Sequence, residues 1–133
     1  MMDSSSRTFL ICLLPGRYSV CRLAADAEMP AWALGGEFIS ITRTAGELSL
    51  VCHEAVVPAG VRCEPGWRVL RLEGPFAFDQ VGILPAVLSP LAQAGVSVFA
   101  ISTFDTDYVL VKEHLLEQAR AALAAAGHRL ANA

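Results

Sequence analysis

The chain has 133 residues, the size of one ordinary domain, with 10 basic and 13 acidic residues and a net charge of −3. Lys112 is its one lysine, the arginines are scattered, and no basic patch is interleaved with aromatics, which argues against nucleic acid as a partner. The hydrophobic fraction is 54%, yet no stretch approaches the roughly 18 uninterrupted apolar residues of a membrane span.

In chain order, residues 1–6 read as a polar, disordered tail. Phe9 to Leu14 is too short for the core of a signal peptide and stops at Pro15-Gly16, so a cytoplasmic location is expected. Thr8 to Leu14 and Arg17 to Leu23 read as two strands joined by a tight turn at Pro15-Gly16. Pro30 to Leu34 has room for one helical turn before Gly35-Gly36. Glu37 to Thr44 and Glu47 to Cys52 form a hairpin across Ala45-Gly46. His53 to Gly66, with Pro58, Gly60, Pro65 and Gly66, reads as a linker.

Trp67 to Glu73 is the next strand, ended by Gly74-Pro75. A helix follows, with Asp79 as N-cap, an apolar face of Leu84, Val87, Leu88, Leu91 and Ala92, and a kink at Pro90. Val96 to Thr103 is apolar enough for a central strand buried on both faces. Phe104 to Asp107 is a turn, Tyr108 to Lys112 a returning strand, and Glu113 to Ala126 a second helix closed by Gly127. The last six residues supply a short edge strand.

Two stretches repeat. Tyr18-Ser-Val-Cys-Arg-Leu23 matches Trp67-Arg-Val-Leu-Arg-Leu72, and the strand-turn-strand from Ile41 to Val51 matches that from Ile101 to Val111. Leu23 and Ile41 are 18 positions apart, whereas Leu72 and Ile101 are 29 apart. The difference is about a three-turn helix. The chain therefore reads as α+β: two tandem ferredoxin-like β-α-β-β units, the first with a reduced helix, in antiparallel sheets with helices on one face. Units this small bury little surface alone, and the apolar excess suggests pairing into a homodimer, an alanine- and valine-rich core being the alternative.

No residue pattern indicates a metal, a cofactor or a catalytic group. The cysteines Cys12, Cys21, Cys52 and Cys63 lack C-x-x-C spacing and read as reduced thiols, mostly buried. Cys52-His53-Glu54 cannot converge on a metal, because neighbouring strand residues point to opposite faces. Two segments do carry binding chemistry. The loop from Phe76 to Gly82 leads into a helix N-terminus, whose unpaired N–H groups suit a carboxylate or phosphate. Ser102 to Asp107 supplies hydroxyls, an aromatic face and two carboxylates, although Asp105-Thr106-Asp107 is also ordinary hairpin-turn composition. The ends of the first and central strands are not automatically adjacent, so a site is expected across units.

From Phe78 to Val111 the chain resembles an ACT domain. Asp79, Gly82 and Leu84 match the family's Asp-x-Pro-Gly-x-Leu, with Val81 in place of Pro, and Leu91 to Val98 fits its Leu-Ala-x-Ala-Gly-Val-x-Val run. The Ser102 to Tyr108 stretch and the opening Leu14-Pro-Gly-Arg-Tyr-Ser-Val-Cys-Arg-Leu23 resemble bacterial tandem-ACT proteins related to the animal cytosolic arginine sensor. The resemblance implies a degenerate ACT-like unit over residues 7–60 and an ACT domain over 67–133. It implies a non-enzymatic regulatory sensor that binds a small molecule, usually an amino acid, between ACT units. The site would comprise Asp79, Gln80, Val81, Gly82, Ile83 and Leu84 with Ser102, Thr103, Phe104, Asp105, Thr106 and Asp107. The backbone of Gln80 to Leu84 would hold the α-carboxylate, and the carboxylates of Asp105 and Asp107 suit an ammonium or guanidinium. The partner would be an amino acid, cationic by this charge argument, together with a regulated protein. A ligand-free protein-interaction module is the alternative, and a small enzyme is a third reading that the absence of His, Cys and Lys in both segments disfavours.

Overall fold

A computed structural model describes residues 8–74, 76 and 80–133. The expected tail of residues 1–6 and the expected cap Asp79 lie outside these. The chain forms two compact units, Gly16–Trp67 and a second built from Met1–Pro15 with Arg68–Ala133. We call the first the inserted unit and the second the main unit. The fold is α+β and ferredoxin-like. No helix among the described residues is long and apolar enough to cross a membrane.

The inserted unit holds β2 (Tyr18–Leu23), β3 (Ser40–Arg43), β4 (Leu48–His53) and the first residues of β5 (Arg62–Leu72). They pair antiparallel in the order β3-β4-β2-β5. Cys21, Leu48, Leu50 and Cys52 share one sheet face because they alternate along β2 and β4. Ala33 joins them from the 3-10 turn Ala31–Ala33, which stands where a helix would. The connection from β2 is pinned by Arg43, whose guanidinium donates to the carbonyls of Ala25 and Ala27.

The expected linker is strand from Arg62 onward. Pro65 and Gly66 do not end it. Tyr18 pairs with Trp67 and Val20 with Glu64, so Pro65 and Gly66 together stand opposite the single residue Ser19 in a bulge, with Gly66 at φ +83°. A bulge is where proline and left-handed glycine are tolerated inside a strand.

In the main unit the sheet order is β8-β1-β5-β7-β6, with β1 (Leu10–Leu13), β6 (Phe99–Ser102), β7 (Asp107–Lys112) and β8 (Arg129–Asn132). Three expectations change here. β1 does not form a hairpin with β2; it pairs antiparallel with the last residues of β5. β8 pairs parallel with β1. The N-terminal strand thus occupies the place beside β5 that the unit's own last strand would take in ferredoxin-like order. Lastly, β6 is an edge strand and not a central one, paired with β7 alone. Its half-buried Phe99 and Ile101 alternate with exposed Ala100 and Ser102.

Two helices cover one face of this sheet. Ile83, Val87 and Leu91 of α1 (Ile83–Gln93) and Leu116, Ala119 and Leu123 of α2 (Leu116–Ala125) pack on Ile11, Leu13, Leu70, Leu72, Val109 and Val111. Each large aliphatic side chain buried this way contributes roughly 1.5–3 kcal/mol. The helix stripe matches the expected spacing, but α1 begins at Ile83 with Gly82 as N-cap in the left-handed region. An N-cap at Asp79 would have started it earlier.

Pro90 lies inside α1 and has no N–H to donate to the Ala86 carbonyl. His128 supplies the donor. Its Nε2 lies 2.8 Å from the Ala86 oxygen, while its Nδ1 accepts from the Phe9 N–H at 3.1 Å. Those two partners assign the proton to Nε2. The helix end places this residue. With Gly127 left-handed, Gly127 N–H reaches the Ala124 carbonyl and His128 N–H the Leu123 carbonyl, the two bonds of a Schellman cap. His128→Ala leaves a donor and an acceptor without partners, and we expect a loss of about 2 kcal/mol or more in urea unfolding. Pro90→Ala restores the intrahelical donor, so it should stabilise the His128→Ala protein by about 1 kcal/mol more than it stabilises the parent. An equal effect in both backgrounds would show that the histidine does not serve this carbonyl.

Candidate functional site

The strands bring the two candidate segments together inside the main unit. The loop after β5 and the β6–β7 turn meet at Gly74. A Cβ there would lie 2.9 Å from the Asp105 oxygen and 3.1 Å from both Phe76 N and Thr106 Cβ, so only glycine fits without displacing backbone. Two hydrogen bonds complete the joint. Phe76 N–H donates to the Asp105 carbonyl at 2.8 Å, and the Thr106 hydroxyl donates to the Leu72 carbonyl at 2.6 Å. Adjacency therefore needs no second unit.

The turn is internally fixed. Thr103 N–H donates to the Thr106 carbonyl at 2.8 Å, and the Thr103 hydroxyl bonds the same carbonyl at 3.1 Å. Thr106 N–H returns a bond to the Thr103 hydroxyl at 3.3 Å. The Ser102 hydroxyl donates to an Asp107 carboxylate oxygen at 2.5 Å. This orients Asp107, the residue opposite Ser102 in the β6–β7 ladder.

Between turn and helix lies a cavity of about 340 Å³. Gln80, Gly82, Ile83, Leu84, Ser102, Thr103, Phe104, Asp105, Thr106 and Asp107 line it, all of them candidates from sequence. Val81 is a candidate that does not line it and is 81% exposed. Asp79 lies outside the described residues. Phe76, which opens the expected binding loop, and Pro85, which follows Leu84, line the cavity as well, although neither is among the expected site residues.

The cavity is chemically polarised. At one end, the N-cap Gly82 has no side chain to cap α1, and the first N–H groups of the helix have no acceptor within it and carry the positive end of the helix dipole. Pro85 has no N–H to add, which leaves Ile83 and Leu84 as the donors of that first turn. At the other end stand the Asp105 and Asp107 carboxylates. Phe76 is held edge-on by Phe9 with centroids 5.4 Å apart, and Phe9 in turn stacks on His128 at 5.7 Å. Such an arrangement can bind a dipolar molecule, anion toward the helix and cation toward the turn.

A second cavity of about 280 Å³ shares Thr103, Asp105 and Thr106 with the first and adds Arg71, Glu73 and Tyr108. Arg71 and Glu73 are paired at 2.7 Å. Hydrogen bonds from Arg71 and then from Cys12 hold the Glu73 carboxyl below the usual carboxylate range. Burial, and next Glu73, push the Cys12 thiol up. These charges satisfy one another.

A family model described as "ACT domain" matches residues 62–125, and a model of an N-terminal domain matches residues 16–60. Protein Atu0741 from Agobacterium tumefaciens has a solved structure that is 46% identical, with 96% of this chain and 95% of that one aligned at a TM-score of 0.90. The chain belongs to the ACT-domain family. The human protein named "Cytosolic arginine sensor for mTORC1 subunit 1" is 46% identical over 48 residues. That alignment takes in 35% of this chain and spans only 15% of the sensor's length. The regulatory subunit of aspartate kinase from Thermus flavus superposes at a TM-score of 0.60 over 88% of this chain and 96% of its own, at 11% identity, a likeness of fold alone.

Gly74→Ala tests the joint between the two loops. The added Cβ meets backbone, so we expect roughly 1–3 kcal/mol of lost stability. Amide exchange at Phe76 and Thr106 should accelerate beyond that global loss. Exchange rising uniformly across the unit would contradict a local role.

Proposed function

We propose that this ACT-domain protein is a non-enzymatic regulatory module that binds an amino acid in the cavity between the α1 N-terminus and the β6–β7 turn. The observation that carries the reading is the convergence of a helix N-terminus and two aspartates on one cavity of a single unit, at the low end of the volumes typical of ligand sites. The backbone N–H groups opening α1 bind the α-carboxylate. Asp107, oriented by Ser102, and Asp105 bind a cationic group, an arginine guanidinium being best suited to bidentate pairing. The partial match to a protein named as an arginine sensor supports the same ligand class.

The ligand sits at an interface between ACT units in a homodimer. Val81 and Phe104, 81% and 78% exposed, supply apolar surface around the site for the covering unit. Binding favours the packed arrangement, and a regulated partner protein reads that arrangement in the cytosol. The same exposed pair also supports the second reading, a ligand-free interaction module.

Thermal unfolding in the presence of each of the twenty amino acids distinguishes the two. Arginine or lysine should raise the midpoint, with a stabilisation of about 2.7 kcal/mol when the ligand is at about 100 times its Kd. Asp107→Ala should abolish the shift while leaving the unliganded midpoint nearly unchanged. If no amino acid moves the midpoint, the interaction module is the better account.

A further inference from the structure

Three of the four cysteines gather in the inserted unit, away from everything assigned above. Cys21 on β2 and Cys63 on β5 are direct cross-strand partners. Cys52 on β4 shares the apolar cluster of Cys21, and Cys63 packs against that cluster. Cys21, Cys52 and Cys63 thus meet on one face of the sheet. All three are free thiols; Cys21 and Cys52 are buried, whereas Cys63 is partly exposed.

Directly opposed residues on antiparallel strands have Cα atoms about 4.5–5.5 Å apart and side chains on one face. That span falls within the roughly 4.4–6.8 Å that a disulfide bridges. The Cα atoms of the Cys21–Cys63 pair are therefore at a separation that a disulfide can bridge.

We propose that Cys63 and Cys21 form an oxidisable pair, Cys63 being the thiol that reacts with a hydroperoxide and Cys21 the thiol that resolves it. Cys63 takes one oxygen from the hydroperoxide and becomes a sulfenic acid, and the hydroperoxide leaves as the alcohol or as water. The Cys21 sulfur then attacks the Cys63 sulfur, the S–O bond breaks, the S–S bond forms, and water carries away the oxygen with the Cys21 proton. Access sets the order. Burial raises the Cys21 thiol and pushes Cys52 up to about 11, which keeps both protonated and slow toward oxidants. Cys52 then stands beside the new disulfide as a reserve thiol for exchange. The product is a covalent tie between β2 and β5 beside the bulge in their ladder.

The test is hydrogen peroxide treatment of the whole protein, followed by intact mass, thiol titration under denaturing conditions and peptide mapping. The expected product is a monomer that has lost two hydrogens, has two of its four thiols blocked, and carries a Cys21–Cys63 cross-link. In Cys21→Ser, Cys63 should be trapped by dimedone as its sulfenic acid. In Cys63→Ser, peroxide should leave the remaining thiols free, and Cys12→Ser should behave as the parent. Oxidation of Cys63 to sulfinic or sulfonic acid in the parent without a cross-link, a cross-link between chains, or undiminished thiol loss in Cys63→Ser would each overturn the proposal. Circular dichroism of the three serine variants separates these outcomes from misfolding. None of them depends on the amino-acid reading.

Discussion

The main unit depends on one buried imidazole. His128 completes a helix that its own sequence interrupts, because Pro90 cannot satisfy the Ala86 carbonyl. The same ring accepts the Phe9 N–H and stacks on the Phe9 side chain, so it also anchors the strand that begins the chain. Phe9 then braces Phe76, which lines the cavity. A residue after the last helix thereby fixes the first strand, the first helix and one wall of the site. Each bond alone is modest, about 1 kcal/mol net, but leaving a buried partner unsatisfied costs more than the bond gained.

The second constraint is the close approach at Gly74. It determines whether two loops become one site. The Phe76–Asp105 and Thr106–Leu72 bonds tie the loop leading into α1 to the turn that carries the carboxylates. The opening of α1 and the two aspartates then line a common space without any contribution from the inserted unit. The inserted unit has the same strand pattern, but only one 3-10 turn in place of α1. It has no long helix whose N-terminus could serve an anion, which fits the asymmetry already visible in the repeat.

Much of this was legible because it is local. Alternation along β2 and β4, the α1 stripe of Val87 and Leu91, Gly127 as a helix stop and the Ser102–Asp107 turn are each written in a few adjacent residues. What was not legible is non-local. Nothing near Leu10 says that β1 inserts between β5 and β8, a pairing decided more than fifty residues away in sequence. Pro65-Gly66 carries the composition of a linker and the geometry of a bulge, and only the opposing Tyr18 to Val20 register distinguishes them. His128 is a lone histidine without a motif, and its role appears only once Pro90 is seen across from it. The apolar run at Phe99 suggested a central strand, but half of its side chains are exposed at an edge.

The proposed function stands on the opening of α1 and the β6–β7 turn acting as one ligand site. Backbone amide NMR during titration with arginine tests it most directly. The account predicts that Gln80 to Leu84 and Thr103 to Asp107 shift together along one saturable curve, while Cys21 and Cys52 stay in place. Shifts confined to one segment, to the second cavity around Arg71 and Glu73, or to none would contradict it.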